Sequence, residues 1–304
     1  MTCKNCSIKP VYSQISGVKL CRSCFIKYFE KKVIKTIKKY NLIQNNDKIA
    51  VAVSGGKDSL SLLYLLDKYA KKYKNQKLIA ILIDEGIETY RPKTIEDAKK
   101  LAKELGIELK IYSFKDEFSK PLDKILKELK ENACSVCGTF RRYLLNKYAR
   151  KLDVTKLATG HNLDDEAQSI LMNQFKGNIE VSARLGPITG IIKDKKFIPR
   201  IKPLYFMTEK ETAIYSYLKG FTSKFIECPN SYDSYRDEVR NLLNSLEVKY
   251  PGIKYSIVNS FLVTLPLLKD HYSKSRKMEY CSKCNEPCSG TICKACRIIE
   301  KIKN

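Results

Sequence analysis

The sequence predicts an α/β protein, a parallel sheet covered by helices on both faces, with a small cysteine-rich module at each end. Three observations carry that expectation. Short apolar runs alternate with stretches of helical period through the middle of the chain. A glycine turn, Ser54-Gly55-Gly56-Lys57-Asp58-Ser59, joins the first apolar run directly to the first such helix. Two Cys-x2-Cys pairs stand near each terminus.

The elements follow in order. Ile49-Ala50-Val51-Ala52-Val53 is a buried strand, and Leu60, Leu63, Leu66 and Tyr69 recur at helical spacing after the glycine turn. Leu78 to Ile83 is a second strand, Thr94 to Leu105 a helix stopped by Gly106, and Ile107 to Tyr112 a third strand. A helix is expected from Pro121 to Glu131, then a basic one from Phe140 to Leu152 carrying Arg141, Arg142, Lys147, Arg150 and Lys151. Val154 to Thr159 is a fourth strand, running into Gly160-His161-Asn162 and a helix from about Asp164 to Phe175. Thr208-x-x-Glu211 is a capping box opening a helix to Leu218. Tyr235 to Tyr250 and Ile253 to Leu268 complete the helical part. The expected division is residues 1–26, an N-terminal metal module; 27–46, a linking helix; 47–230, the α/β domain; 231–276, a helical segment; and 277–304, a C-terminal metal module.

The chain has 304 residues, of which 43% are hydrophobic, enough for real cores and too many for a disordered chain. Lys and Arg number 57 against 33 Asp and Glu, a net charge of +24 that favours a polyanion and disfavours an acidic protein partner. Much of the lysine solvates helix faces, so charge alone leaves nucleic acid an open reading. The N-terminus MTCKNCSIKP has no apolar signal core, and no apolar run approaches the ~20 residues of a membrane span. A cytoplasmic, reducing location away from membranes is therefore expected, in which paired cysteines are metal or redox sites rather than staples.

The twelve cysteines fall into three zones. Cys3-x2-Cys6 and Cys21-x2-Cys24 form a four-thiolate zinc pattern, and Cys281-x2-Cys284 with Cys293-x2-Cys296 repeats it, Gly290 turning the chain between. Free or redox-active thiols are the alternative for both. Cys288 is left over. The central zone, Cys134-x2-Cys137 and Cys228, reads on residue chemistry alone as a persulfide or disulfide pair plus a buried thiol.

The glycine turn between strand and helix aims backbone N–H groups and the positive helix end at one point, an anion site. It is not a Walker A loop, which needs Gly at Val51 and Ser or Thr at Asp58, nor a GxGxxG fingerprint. The intact string Ser54 to Ser59 resembles the pyrophosphate loop of the ATP pyrophosphatases, whose sheet is Rossmann-like. Asp84-Glu85-Gly86, Cys134-x2-Cys137-Gly138, Gly160-His161-Asn162-x-Asp164-Asp165 and Cys228-Pro229, with zinc knuckles at both ends, resemble the TtuA/TtcA group of tRNA thiolases. The likeness is to the branch that makes 2-thiouridine.

That resemblance implies ATP and Mg²⁺ held against Ala52, Val53, Ser54, Gly55, Gly56, Lys57, Asp58, Ser59, Ile83, Asp84, Arg141, Gly160, His161 and Asp165. It implies a [4Fe–4S] cluster on Cys134, Cys137 and Cys228 with one iron open to sulfide, and two Zn²⁺. Catalytic weight falls on the three cysteines, Lys57, Asp58, Asp165 and Arg141. Arg141 stands where resembling proteins have Lys, so it keeps the charge but does not deprotonate readily. His161 shapes the nucleotide pocket; Asp164 and Asp165 either hold Mg²⁺ and the base or cap a helix. The implied partner is tRNA, with sulfur from free sulfide or a ubiquitin-like carrier, and dimerisation is left open. Competing expectations are cytidine thiolation, a persulfide-based sulfurtransferase, a small-molecule ATP pyrophosphatase, and a non-catalytic zinc RNA-binding protein.

Overall fold

The computed structural model describes residues 2–73, 76–129, 131–192, 194–221, 228–231, 234–274 and 278–303. In chain order these form β1 (Tyr12–Ser13), β2 (Lys19–Leu20), α1 (Arg22–Lys39), β3 (Lys48–Ala52), α2 (Lys57–Tyr73), β4 (Lys77–Asp84), α3 (Arg91–Leu105), β5 (Leu109–Ser113), α4 (Phe114–Phe118), α5 (Leu122–Glu128) and α6 (Ala133–Lys151). They continue with β6 (Lys156–Ala158), α7 (Leu163–Phe175), α8 (Ile179–Ala183), β7 (Arg200–Ile201), α9 (Glu209–Lys219), α10 (Tyr235–Lys249), α11 (Ile253–Lys274), β8 (Glu279–Tyr280), β9 (Pro287–Cys288) and α12 (Lys294–Lys303).

The central sheet has the order β5-β4-β3-β6-β7 and is parallel throughout. From β3 the chain builds outward through β4 and β5, then crosses to β6 and β7 on the other side. The carboxyl ends of β3 and β6 therefore flank a topological switch point, where such sheets take ligands. The sheet is buried on both faces, as a parallel sheet requires. Along β4, Ala80 and Leu82 join one core with Val51, Leu63, Phe29 and Tyr215, while Ile79, Ile81 and Ile83 join the opposite core with Ala50, Phe140 and Leu144. That alternation is the period of two of a strand. A third core gathers α7, α10 and α11 around Tyr205, Val258 and Phe261.

Several elements depart from the expected bounds. The basic helix expected from Phe140 begins at Ala133, because the Asn132 side chain caps it by accepting from Ser135 N. Cys134 and Cys137 thus ride on its first two turns rather than on a preceding loop. Helix α3 starts at Arg91 instead of Thr94, with Pro92 in its first turn, and ends at Gly106 with φ +71°. Strand β5 starts at Leu109, α5 ends at Glu128, and α11 continues past Pro266 to Lys274. The fifth strand, β7, is two residues long and leaves no periodic signal.

Each terminal module is an antiparallel two-stranded hairpin leading into a helix, β1–β2 into α1 and β8–β9 into α12. Cys21 is the N-cap of α1, and Cys24 sits in its first turn. Cys296 lies in the first turn of α12. Both modules put thiols at the first turn of a helix. The C-terminal module packs on the sheet's second core through Cys281, Cys293, Ile298 and Ile302.

Candidate active site

The loop after β3 is shaped by its own side chains. Ser54 N donates to Ser59 Oγ at 3.0 Å, Ser59 Oγ donates to Gly56 O at 3.0 Å, and the two hydroxyls lie 3.1 Å apart. Gly55 has φ +81°, and a Cβ there would stand 1.9 Å from Thr94 O, so only glycine lets the loop pass α3. At Gly160 a Cβ would meet Ser59 N at 3.1 Å, which keeps the β6 edge close against the start of α2. The N-terminus of α2 thus faces a cavity of about 1430 Å³ walled by the loop, the β1–β2 hairpin, α9 and α11.

Lys57 Nζ lies 3.0 Å from both Asp58 Oδ2 and Glu209 Oε1. Against burial, these two carboxylates hold its ammonium above the ordinary lysine range. Asp58 also accepts from Asn162 Nδ2 at 3.1 Å, tying loop to switch point. Burial pushes Asp58 up, and burial together with the Asp58 charge pushes Asp165 up to about 6. Carboxylate oxygens on Asp58 and Asp165 are the hard donors that suit Mg²⁺.

Asp164 and Asp165 point to different tasks. Asp164 forms a buried ion pair with Lys254 and accepts from Glu209 N at 2.7 Å, anchoring α9 and α11 to α7. Asp165 Oδ2 accepts from Asn162 N at 3.1 Å as half of a capping box, leaving Oδ1 3.8 Å from Arg236. One carboxylate oxygen of Asp165 thus caps the helix while the other faces Arg236. His161 Nδ1 lies 3.0 Å from Thr159 Oγ1. Burial and the cations Lys202, Arg236, Arg200 and Arg141 hold its pKa well below the usual value, so it is neutral at physiological pH.

Across the sheet edge from the loop stand the central cysteines. Cys134 Sγ donates to Asn230 O at 3.3 Å, joining α6 to the turn after Cys228. Cys137 and Cys228 share the electrostatic neighbourhood of Cys134, Arg141 and Glu85. Burial pushes Cys137 up to about 12 and raises Cys228 as well. Arg141 Nη1 is 3.5 Å from Glu85 Oε1, so the residue in the family's lysine position meets a buried carboxylate at the thiol site.

The four-thiolate groups are tighter. In each, all four sulfurs lie within 4.8 Å of one another. Tetrahedral zinc with Zn–S of about 2.3 Å places sulfurs about 3.8 Å apart. The Cys6–Cys21, Cys6–Cys24 and Cys284–Cys293 separations of 3.3, 3.9 and 3.7 Å bracket that figure. The Ser23 hydroxyl and the Cys24 N–H bring Cys21 down to about 6. Burial opposes ionisation of Cys281, but the N–H groups of Cys293, Cys284 and Lys283 bring it down to about 6. Cys288 stands outside the second group, donating to Gly290 O at 2.8 Å.

Sequence reasoning gave no site role to four residues that build the site, although Glu85 and Asn162 stand inside its motifs. Arg91 is 2% exposed. It donates to Ser54 O at 2.9 Å and Ile83 O at 2.5 Å, and its Nε lies 2.6 Å from Glu85 Oε2. It locks the ends of β3 and β4 together, and the Arg-Pro pair opening a helix was its only signal. Glu85, Asn162 and Glu209 act through partners far away in the chain, which spacing cannot reveal.

A nucleotide loop at the switch point of a five-stranded parallel sheet defines a PP-loop protein, and the PP-loop domain family matches residues 27–246. The chain is 36% identical to the tRNA 2-thiolation protein NcsA of Haloferax volcanii, covering 100% of this chain and 99% of that one. It is 36% identical to the tRNA-5-methyluridine(54) 2-sulfurtransferase of Pyrococcus horikoshii, covering 98% and 93%. The structure matches the U34-tRNA thiolase NcsA of Methanococcus maripaludis with its [4Fe–4S] cluster at a TM-score of 0.83 and 38% identity, covering 99% of this chain and 96% of that one. The chain belongs to the tRNA 2-thiolation family of PP-loop proteins.

Proposed function

We propose that this chain is an ATP-dependent tRNA uridine 2-sulfurtransferase. The observation that carries the reading is the pairing, at one sheet edge, of the Ser54–Ser59 loop with a three-cysteine site around Arg141 and Glu85. A small-molecule ATP pyrophosphatase has no use for the cysteines, and a non-catalytic RNA-binding module has no use for the loop.

In this reading uridine O2 attacks the α-phosphorus of ATP, pyrophosphate leaves, and N3 gives up its proton. Hydrosulfide then adds at C2, AMP leaves, and the hydrosulfide proton goes to N3. The loop and the α2 N-terminus hold the phosphates. Lys57 neutralises the leaving pyrophosphate, exchanging Glu209 for phosphate oxygens, while Asp58 and Asp165 hold Mg²⁺. Neutral His161 and Gly160 border the base and ribose, with Ala52, Val53, Ile83 and Asp84 along the strand ends. Arg141 offers charge to the reacting nucleotide from the thiol side. Three thiolates fit a [4Fe–4S] cluster, which supplies one iron with a free position for sulfide. Cys134, Cys137 and Cys228 are its assigned ligands. An exposed loop nucleotide or a flipped one meets the need for access to C2.

Zn²⁺ is assigned to Cys3, Cys6, Cys21 and Cys24 and to Cys281, Cys284, Cys293 and Cys296, so the terminal segments 1–26 and 277–304 are metal-built units flanking the catalytic part at 47–230. Sulfide, free or from a ubiquitin-like carrier, is the donor. No helix among the described residues is long and apolar enough to cross a membrane, and relatives from eukaryotes are named cytoplasmic, which supports a cytoplasmic site of action. Pyrophosphate release from ATP tests the reading. It should require tRNA, and mass spectrometry should find 2-thiouridine only when sulfide is added. Equal release without RNA, on a small acceptor, would refute it.

A further inference from the structure

A second cavity, of about 1110 Å³, lies between α6, the segment before β7 and the C-terminal metal module. Arg142 and Arg200 both line it. Arg200 Nη2 donates to Arg142 O at 3.4 Å, and its guanidinium carbon lies 6.0 Å from the Phe197 ring centroid. No carboxylate is among the charges acting on either arginine. Burial and the neighbouring Arg142 bring Arg200 down to about 10. Other arginines of the cavity are occupied. Arg184 pairs with Glu180 at 2.5 Å, and Arg297 donates to Ile292 O at 3.1 Å.

Two neighbouring cations in one cavity cost electrostatic energy in the free protein, and an anion beside them relieves it. The cavity also has a direction. Arg142 stands five residues after Cys137 on α6, with Nη1 3.1 Å from where a Gly138 Cβ would be. Lys294, at the start of α12, donates to Ser135 Oγ at 2.8 Å beside Cys134. The cavity therefore leads along α6 to the central cysteines, with the metal module as its outer wall.

We infer that this cavity is an RNA-binding groove in which Arg142 and Arg200 grip one backbone phosphate beside the nucleotide delivered to the central cysteines, with an adjoining base stacked on Phe197. A guanidinium fork suits a phosphate, and an aromatic ring beside it suits single-stranded RNA better than an acidic protein tail. The inference rests on the tRNA reading and adds the place and residues of contact. It gives the C-terminal metal module a function, to form one side of that groove.

Binding of an unmodified tRNA transcript, measured by fluorescence anisotropy across a series of salt concentrations, tests it. Arg142→Ala/Arg200→Ala should bind at least ~10-fold more weakly, with the slope of log affinity against log salt shallower by roughly 1 per lost phosphate contact. Lys99→Ala/Lys100→Ala, on the exposed face of α3, should leave affinity and slope unchanged. Zinc content, circular dichroism and ATP binding in the absence of RNA should match the wild type in both. If the arginine pair misfolds, single Arg142→Gln at an exposed side chain should still make the slope shallower. An unchanged slope in Arg142→Gln and the arginine pair, or an equal loss in the lysine pair, would overturn the groove while leaving the tRNA reading intact. Loss of binding to an acidic sulfur-carrier protein without loss of tRNA binding would also overturn it. A wild type that binds no tRNA at all would instead sink the functional reading and this inference with it.

Discussion

Glu211 is 1% exposed and joins the N-terminal module to the wall of the nucleotide cavity. Its carboxylate accepts from Tyr12 OH at 3.0 Å, Tyr28 OH at 2.9 Å, Lys32 Nζ at 2.9 Å and Thr208 N at 2.8 Å. Tyr12 belongs to the β1–β2 hairpin, Tyr28 and Lys32 to α1, and Thr208 caps the helix whose Glu209 meets Lys57. Glu211→Ala removes the carboxylate that pairs with Lys32 and strands two phenol donors. Breaking one side of a buried pair costs about 3–5 kcal/mol, and each lost neutral hydrogen bond about 1 kcal/mol. Because Lys32 keeps 20% of its side chain in solvent, the lower part of that range applies, about 3 kcal/mol. Glu211→Gln keeps acceptors and should cost less. Urea unfolding at pH 7.5, followed by circular dichroism and by release of the N-terminal zinc to a chelator, measures both. A loss below about 1 kcal/mol in Glu211→Ala, with zinc retention unchanged, would refute the hub.

Further expectations follow from the same geometry. Lys57→Ala and Asp58→Ala should each lower thiolation by about 10²–10³-fold while leaving the fold and tRNA binding intact, as circular dichroism and a binding assay will show. Cys281→Ser should release one zinc by metal analysis, whereas Cys288→Ser should keep both, since Cys288 lies outside the four-sulfur group. His161 stays neutral when folded but takes a proton near pH 6.5 when unfolded, so stability declines as pH drops below about 6.5. Asp165, raised to about 6, acts in the opposite sense, adding stability as pH falls below 6. His161→Gln should therefore flatten the decline between pH 6.5 and 5.5 in urea melts, and an unaltered slope would refute the assignment.

Much of this was legible in the residues. The glycine loop, the alternation of strands and helices, and the two four-cysteine patterns are local signals, and each appears where its spacing places it. The start of α6 was not legible, because Gly138 and two cysteines mask the helical period and only the Asn132 cap announces it. Strand β7, at Arg200–Ile201, is too short for any period to show, yet it closes the sheet and carries one arginine of the groove. Glu209, and the role of Glu211 beyond its capping box with Thr208, were invisible for a different reason. Their partners lie far off in sequence, 152 residues from Lys57 in the case of Glu209. Sequence favoured Asp165 over its neighbour Asp164, and the structure separates them through the ion pair of Asp164 with Lys254.

The central claim is that three thiolates on one site carry the sulfur step through iron. Cys134→Ala, Cys137→Ala and Cys228→Ala, purified and reconstituted without oxygen, should each lose iron and thiolation together while ATP binding persists. Wild-type protein should convert tRNA uridine to 2-thiouridine from ATP and sulfide with no covalent sulfur on any cysteine. Iron-free protein carrying a persulfide on Cys134 or Cys137 that turned over equally well would contradict the account.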